Sequence, residues 1–564
     1  MAGVPLQRTP SFIEMAPRRA IASFENLVAL ANYQERLTEA RKMVWRDRGE
    51  PVVELGDLWE CLEHAGRGGL RAGTLAFNIR AGVNLFLLVF RFRKLAKNER
   101  IAALRHAIFG SDSIRFAAML ASFVSIYKFL INALPMYSPV ETYTKRHSFS
   151  EFVLDDAEDE DDVDSGNATP STSTAPPYEK RRSSRPLLSA RRPRLSLSVT
   201  AQQIMVRKKT RRWHAVVAGA IAGAVAIMFE KKGRRVTIAQ QLFVRGLQGS
   251  YNALSTKHGF HIPHGDIIVF ALMSGQILYG FLLRPDTLPR SYNVWVGQAS
   301  KVPMEAVKMN RDLVRTGQFD PQDVVKLLKR PDVTRNNRTA LFSMYEMATS
   351  PEPSFGPAFG PCEAVHPMVD SCTALPFPRF MDVFKWMFPI YGALHFIPMI
   401  LFKRNAFLKA PKDMLLRAGW GTTRSSAFLA TFVIIYQTYF CLKHNLHSFL
   451  VSRQALSAYK IPQPLIDVLV SKPSFWIGGL LSGFSLFVEE KRRRGELAMY
   501  VLPKGLESVW VMLRGKGLVF NTGNFGEPLL TAIGMGMVMS TYQNDPQHLS
   551  GLVRRVMYQF IGPN

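Results

Sequence analysis

Apolar and polar positions along this chain segregate into long blocks. Predominantly apolar runs occur at 70–90, 114–133, 213–229 and 266–283, and again at 383–402, 423–442, 475–488 and 528–542. Most approach the roughly 20 residues that carry a helix across about 30 Å of hydrocarbon. A helix satisfies its backbone groups internally, as a lipid environment demands, so each run is predicted as a membrane span. Between the third and fourth runs of each set lie 236–254 and 496–513, where apolar and polar positions mix around a central basic residue. These predict interfacial amphipathic helices. Read instead as crossings, they make five spans per half and invert the second half; four spans leave the halves parallel.

The blocks are written twice. Residues 115–127, RFAAMLASFVSIY, align without a gap on 424–436, RSSAFLATFVIIY, with eight identities in thirteen positions. Gly219-x-x-x-Gly223 followed by EKKGRR returns as Gly479-x-x-x-Gly483 followed by EEKRRR. Glycines four apart let helix backbones approach closely where lipid offers no hydrophobic gain. Gly219, Gly223, Gly479 and Gly483, with Gly275 and Gly536 in the fourth runs, are therefore the candidate packing positions. The predicted fold is all-α: an integral membrane protein of two tandem repeats, each of about four transmembrane helices plus one amphipathic helix. The expected organisation is an N-terminal region, 1–60; a first repeat, 61–292; an inter-repeat linker, 293–361, with short amphipathic helices outside the bilayer; a second repeat, 362–549; and a tail, 550–564.

Composition sharpens this reading. A formal charge of +27 would suggest nucleic acid in a soluble protein, but the basic clusters at 91–100, 231–235, 403–412 and 491–494 abut apolar runs, so anionic lipid headgroups are the expected partner and nucleic acid is not. A four-span count puts all four clusters on one face. Four cysteines argue against a disulfide scaffold. The first residues lack the charged, apolar and small-residue pattern of a cleaved secretory signal, which favours an organelle reached from the cytosol. Residues 138–212 read as a disordered loop: eight acids within 155–164, then twelve basic residues and no acid within 180–212. Ser183, Ser184, Ser196 and Ser198 lie among its arginines and are candidate phosphorylation sites, where phosphate would weaken attraction to an anionic membrane. The triplets at Asn167 and Asn337 fit the glycan acceptor pattern but matter only in a lumenal loop.

Chemistry is sparse. Arg80 sits inside the first run, where an arginine costs about 3 kcal/mol at mid-membrane; it marks a cavity, a headgroup contact, or a span that begins later. Cys362, His366 and Cys372 form C-x3-H-x5-C, and Cys61-x-x-His64 precedes the first repeat. Zinc takes four ligands, a number reached here only by pooling both halves, so no metal or other cofactor is expected; Cys362 and Cys372 are equally structural thiols or a redox pair. No Walker loop, Rossmann fingerprint, HExxH or G-x-S-x-G is present, and the expectation is not an enzyme.

The segments GLRAGTLAFNIRAG, RFAAMLASFVSIYKFL and AGAIAGAVAIMFE resemble the 24 kDa peroxisomal membrane protein and, more distantly, the mitochondrial inner-membrane translocase subunits. PCEAVHPMVDSC, IPMILFKRNAFLKAP and GWGTTRSSAFLATFVIIY extend the likeness to the transmembrane protein 135 family, in which two such units stand in tandem. The resemblance implies a multi-pass protein of the peroxisomal membrane, alternatively a mitochondrial one, acting in organelle dynamics and lipid and energy homeostasis. A peroxisomal membrane-protein import receptor and a second copy of the chain are the implied protein partners. The chain shows no SKL-type matrix address at its C-terminal residues. The alternative function is a transporter or pore for small metabolites or polypeptide segments, with Arg80 facing the path.

Overall fold

Each predicted span is a helix in the computed structural model, which describes residues 55–92, 96, 99–138, 211–402, 404–456 and 461–562. The acidic-basic loop, with Ser183, Ser184, Ser196 and Ser198, lies outside the described residues, as does most of 1–60. Among the described residues there is no strand. The first series runs α1 (Leu58–Phe92), α2 (Arg100–Phe109), α3 (Ser111–Tyr137), α4 (Arg212–Ala226) with a 3-10 turn at Ile227–Phe229, α5 (Lys232–His258), α6 (Gly265–Leu283) with a turn at Pro285–Thr287, and α7 (Arg290–Ser300). Then come α8 (Met304–Thr316), α9 (Pro321–Leu328), α10 (Arg335–Thr349) and α11 (Cys362–Val365). The second series is α12 (Pro376–Phe402), α13 (Arg404–Lys409), α14 (Pro411–Leu456), α15 (Gln463–Asp467), α16 (Lys472–Gly483) with a turn at Phe484–Val488, α17 (Lys491–Gly515), α18 (Gly526–Asn544) with a turn at Pro546–His548, and α19 (Gly551–Ile561). Apart from the added α15 and 3-10 turns at Val468–Val470 and Gly523–Phe525, the second series repeats the first.

Among the described residues six helices are long and apolar enough to cross a membrane: α1, α2 with α3, α4 with its turn, α6, α12 and α14. A seventh span forms if the segments 463–470 and 472–488, bent by 53°, count as one. The eighth predicted span, α18, is a helix in the expected place, made less apolar by Thr531, Gly534, Gly536, Ser540, Thr541 and Gln543. Only 17% of the apolar window of α1 or of α12 is buried within the protein, against 67% for α6. Faces as exposed and apolar as those of α1 and α12 belong against lipid, and α6 belongs inside the bundle. The chain is an all-α, polytopic membrane protein.

Contacts divide the described residues into two compact units, one of those within 1–222, 542–547 and 551–564, the other of those within 223–541 and 548–550. In the first, α1 lies along α3. A Cβ on Gly69 would stand 3.0 Å from the Ala121 carbonyl, and one on Gly73 3.0 Å from the Ala121 Cβ. These glycines, four apart, were not among the predicted packing positions, although GGLRAG spells them. Tyr127 donates to Gln543 across this unit at 3.2 Å.

In the second unit α6, from the first repeat, packs on α16 and α17 of the second, while α12 lies along α14. Gly479 and Gly483 of α16 meet Gly275, Ser274 and Ala271 of α6; a Cβ on Gly479 would stand 2.7 Å from the Gly275 Cα. The mirror contact joins α18 to α4 and α5: Gly223 faces Met535 and Thr531, and Gly534 meets the Phe243 backbone nitrogen at 2.7 Å from its would-be Cβ. Gly219 and Gly536 are buried in the same helices. The fourth span of each repeat therefore packs on helices of the other repeat.

The linker is a helical lobe with its own core, built from Met309, Leu313, Phe319, Val324, Leu327 and Leu341 among others. Local signals place its helices. Asp320 caps α9 by accepting from the Gln322 amide at 3.0 Å, Pro321 follows at the first helical position, and Gly317 ends α8 at φ 74°. The long α14, 46 residues, would extend about 69 Å at 1.5 Å per residue. It outruns the hydrocarbon, and the predicted span 423–442 is its middle.

Candidate functional site

Where the lobe meets the bundle, α6, α7, α8, α12, α14 and α17 line a half-open apolar cavity of about 220 Å³. Phe281, Leu282, Phe432, Val433 and Phe440 supply much of its wall. Two amides interrupt that wall. Gln437 donates to the Ser300 carbonyl at 2.8 Å, and its Oε1 is buried with no partner among the described residues. Asn310 accepts from the Gly360 amide at 3.0 Å, and its Nδ2 is likewise buried and unpaired. Each unsatisfied buried group costs about 1–3 kcal/mol. The residues of the wall thus carry one spare acceptor and one spare donor, both shielded from the open space, and a hydroxyl or carboxyl group on an apolar body satisfies them once either amide turns toward it. Periodicity could not find these residues, because Asn310 and Gln437 come from helices remote in sequence.

A second arrangement recurs in both repeats. Glu230 and Glu489 are buried, 0% and 1% exposed, where the third span turns into the amphipathic helix. Each carboxylate caps the next helix, accepting from the Lys231 amide at 2.8 Å and from the Glu490 amide at 3.0 Å. Each pairs with the arginine four residues on, Arg234 at 2.6 Å and Arg493 at 3.7 Å. The following arginines, Arg235 and Arg494, donate back to the carbonyls of Glu230 and Met228 and of Glu489 and Phe487. In the second repeat the set grows: Ser425 donates to Glu489 at 2.7 Å, and Arg493 donates to His395 at 2.7 Å and to Ser425 at 2.8 Å. The signal was the pair EKKGRR and EEKRRR, which composition presents only as basic clusters.

The chain matches no family model, no curated protein and no solved structure. Its sites therefore rest on their own geometry.

The cysteine motif closes differently from any pooling of the two halves. Cys362, His366 and Cys372 converge on Cys441 of α14, and none of the four cysteines is in a disulfide. A hydrogen bond to Cys441, then burial, pushes the Cys362 thiol up from its ordinary range; burial, then the neighbouring Cys362, does the same to Cys372. Cys61 and His64 lie elsewhere, in α1, where His64 approaches Lys128 at 3.4 Å. Asn337 is buried, and its amide serves the carbonyls of the 366–369 loop, so it presents no acceptor for a glycan.

Arg80 is accommodated by an acid. Its guanidinium bonds Asp112 in the first turn of α3 at 2.6 Å from Nε, and Asn84 beside it ties the α2–α3 junction through the Ala107 carbonyl and Ser113. With both side chains partly exposed, 29% and 22%, removing Asp112 is expected to cost about 1 kcal/mol. The exchanged pair Arg80→Asp with Asp112→Arg should recover most of that loss in thermal unfolding of the detergent-solubilised chain. No recovery would mean the pair is incidental.

Proposed function

We propose that this is a non-enzymatic multi-pass membrane protein that binds a lipid-like molecule, an apolar body with a single hydroxyl or carboxyl group, and acts in lipid distribution within an organelle. The observation that supports it is the cavity with the unpaired amides of Gln437 and Asn310. Its volume of about 220 Å³ equals about seven water volumes, enough for a stretch of acyl chain or one ring system. The resemblance to the peroxisomal membrane family argues for that organelle, and the basic clusters beside the spans for contact with anionic headgroups.

The full chain in nanodiscs, exposed to a fatty acid carrying a photoreactive diazirine, tests this. Label is expected on peptides of 428–440 and 278–282, competed by unlabelled fatty acid. Ala299→Phe fills the cavity from α7 and should lower that labelling about tenfold, the effect of roughly 1.4 kcal/mol of lost affinity. Label confined to the lipid-facing residues of α1 and α12, unchanged by Ala299→Phe, would sink the proposal.

A further inference from the structure

The loop that closes the linker lobe and one face of α14 together assemble a complete set of metal ligands. Cys362 opens α11, His366 ends it, Cys372 lies in the loop before α12, and Cys441 comes from α14. The three sulfurs and the imidazole nitrogen all lie within 4.8 Å of one another. Tetrahedral zinc, at about 2.3 Å from sulfur and 2.0 Å from nitrogen, sets its ligands about 3.6–3.8 Å apart. Inward movement of about 1 Å at most, within reach of cysteine and histidine rotamers, converts one arrangement into the other.

The histidine is already prepared for this. Its Nδ1 lies 2.8 Å from the Val369 carbonyl, which can only accept, so Nδ1 carries the proton and Nε2 keeps its lone pair. Nε2 lies 3.4 Å from the Cys372 sulfur, inside the ligand set. A backbone carbonyl that fixes the tautomer is the usual outer partner of a metal-bound histidine. That carbonyl is in turn held by Asn337, whose Nδ2 reaches Val369 at 3.2 Å and Pro367 at 3.1 Å. Thr334 adds a bond from its amide to the Pro367 carbonyl at 3.0 Å. The loop is thus shaped by α10 around the ligand atoms.

We propose that Cys362, His366, Cys372 and Cys441 bind one zinc ion that staples the helical lobe to α14. Three soft sulfurs and one imidazole select zinc over the hard cations. Four protein ligands leave no open position, so the ion is structural and activates no water. Val365, between two ligands, also lines the apolar cavity, so the staple holds that part of the wall in register with α14.

The test is the metal content of the full chain, purified in detergent without chelator, with cobalt exchange as a second readout. One zinc per chain is expected. Replacement by Co²⁺ should give the thiolate-to-cobalt charge-transfer band and the visible bands of a tetrahedral site. Cys441→Ser and His366→Ala should each lose the metal, His366→Cys should retain it with a shifted cobalt spectrum, and Cys61→Ser should change nothing. Asn337→Ala, a positioning change, should keep the stoichiometry but weaken zinc against a competing chelator 10–100-fold. Because the wild-type cobalt spectrum requires no variant to fold, it decides the matter alone if the substituted chains aggregate. A metal-free chain with no tetrahedral cobalt spectrum, a Cys362–Cys372 disulfide in its place, or zinc that survives Cys441→Ser and His366→Ala would each overturn the site.

Discussion

Gly483→Leu is expected to disengage α16 from α6 and to lower stability by about 3 kcal/mol, the upper part of the range for overpacking a tight contact. Even the Cβ of Gly483→Ala would lie 2.2 Å from the Ala271 Cα and 3.0 Å from its nitrogen. Those are backbone atoms of a helix and cannot rotate away, so the helices must part. Removing the facing methyl with Ala271→Gly relieves the 2.6 Å clash with the Ala271 Cβ but leaves the clash with its Cα, and rescue should be incomplete. Gly495→Ala is the control: nothing lies within 4 Å of its would-be Cβ, and it should be neutral or gain up to about 1 kcal/mol of helix propensity. Thermal unfolding in one detergent orders the series. A Gly483→Ala chain as stable as the wild type would show that α6 and α16 do not meet at this point.

Glu489→Ala should cost about 3–5 kcal/mol, as loss of one partner from a buried ion pair does. It strips the acceptor from the Glu490 amide and from the Ser425 hydroxyl and leaves Arg493 without its carboxylate. Glu489→Gln keeps an oxygen for the amide and the hydroxyl and removes only the charge, so it should cost distinctly less. Glu230→Ala should cost as much as Glu489→Ala, because Glu230 Oε1 accepts from the Lys231 amide and from two nitrogens of Arg234, although its Oε2 has no partner among the described residues. Equal stabilities of Glu489→Ala and Glu489→Gln would mean that the carboxylate contributes no more than its volume.

The contrast between these two sites shows what a sequence carries. Gly479 and Gly483 were legible because small residues four apart, repeated at matched places, have one common physical use in lipid. Their partner was not: nothing in the spacing says that α16 packs on α6, from the other repeat. His395, a lone histidine in the fifth apolar run, is hydrogen-bonded within the bundle, to the Tyr391 carbonyl and Arg493. Glu489, in contrast, stands in the sequence as one of two acids beside a basic cluster, which has the composition of a solvated turn. Only burial turns it into a cap and an ion pair. Arg80 needed an accommodating group, and the sequence could not choose Asp112, which lies in the next span.

What the amino-acid order determined alone is the set of elements: apolar blocks of bilayer length, their duplication, the amphipathic helices between them and the short charged helices of the linker. Those follow from local rules, hydrophobic run length and the satisfaction of backbone groups within one helix. The tertiary structure decided which helices touch, and with that the cavity amides of Asn310 and Gln437, the exchange of fourth spans between repeats, and Cys441 as the fourth ligand beside Cys362, His366 and Cys372. Each of these joins residues far apart in the chain, and their proximity is set by how whole helices pack, which no local window of sequence contains.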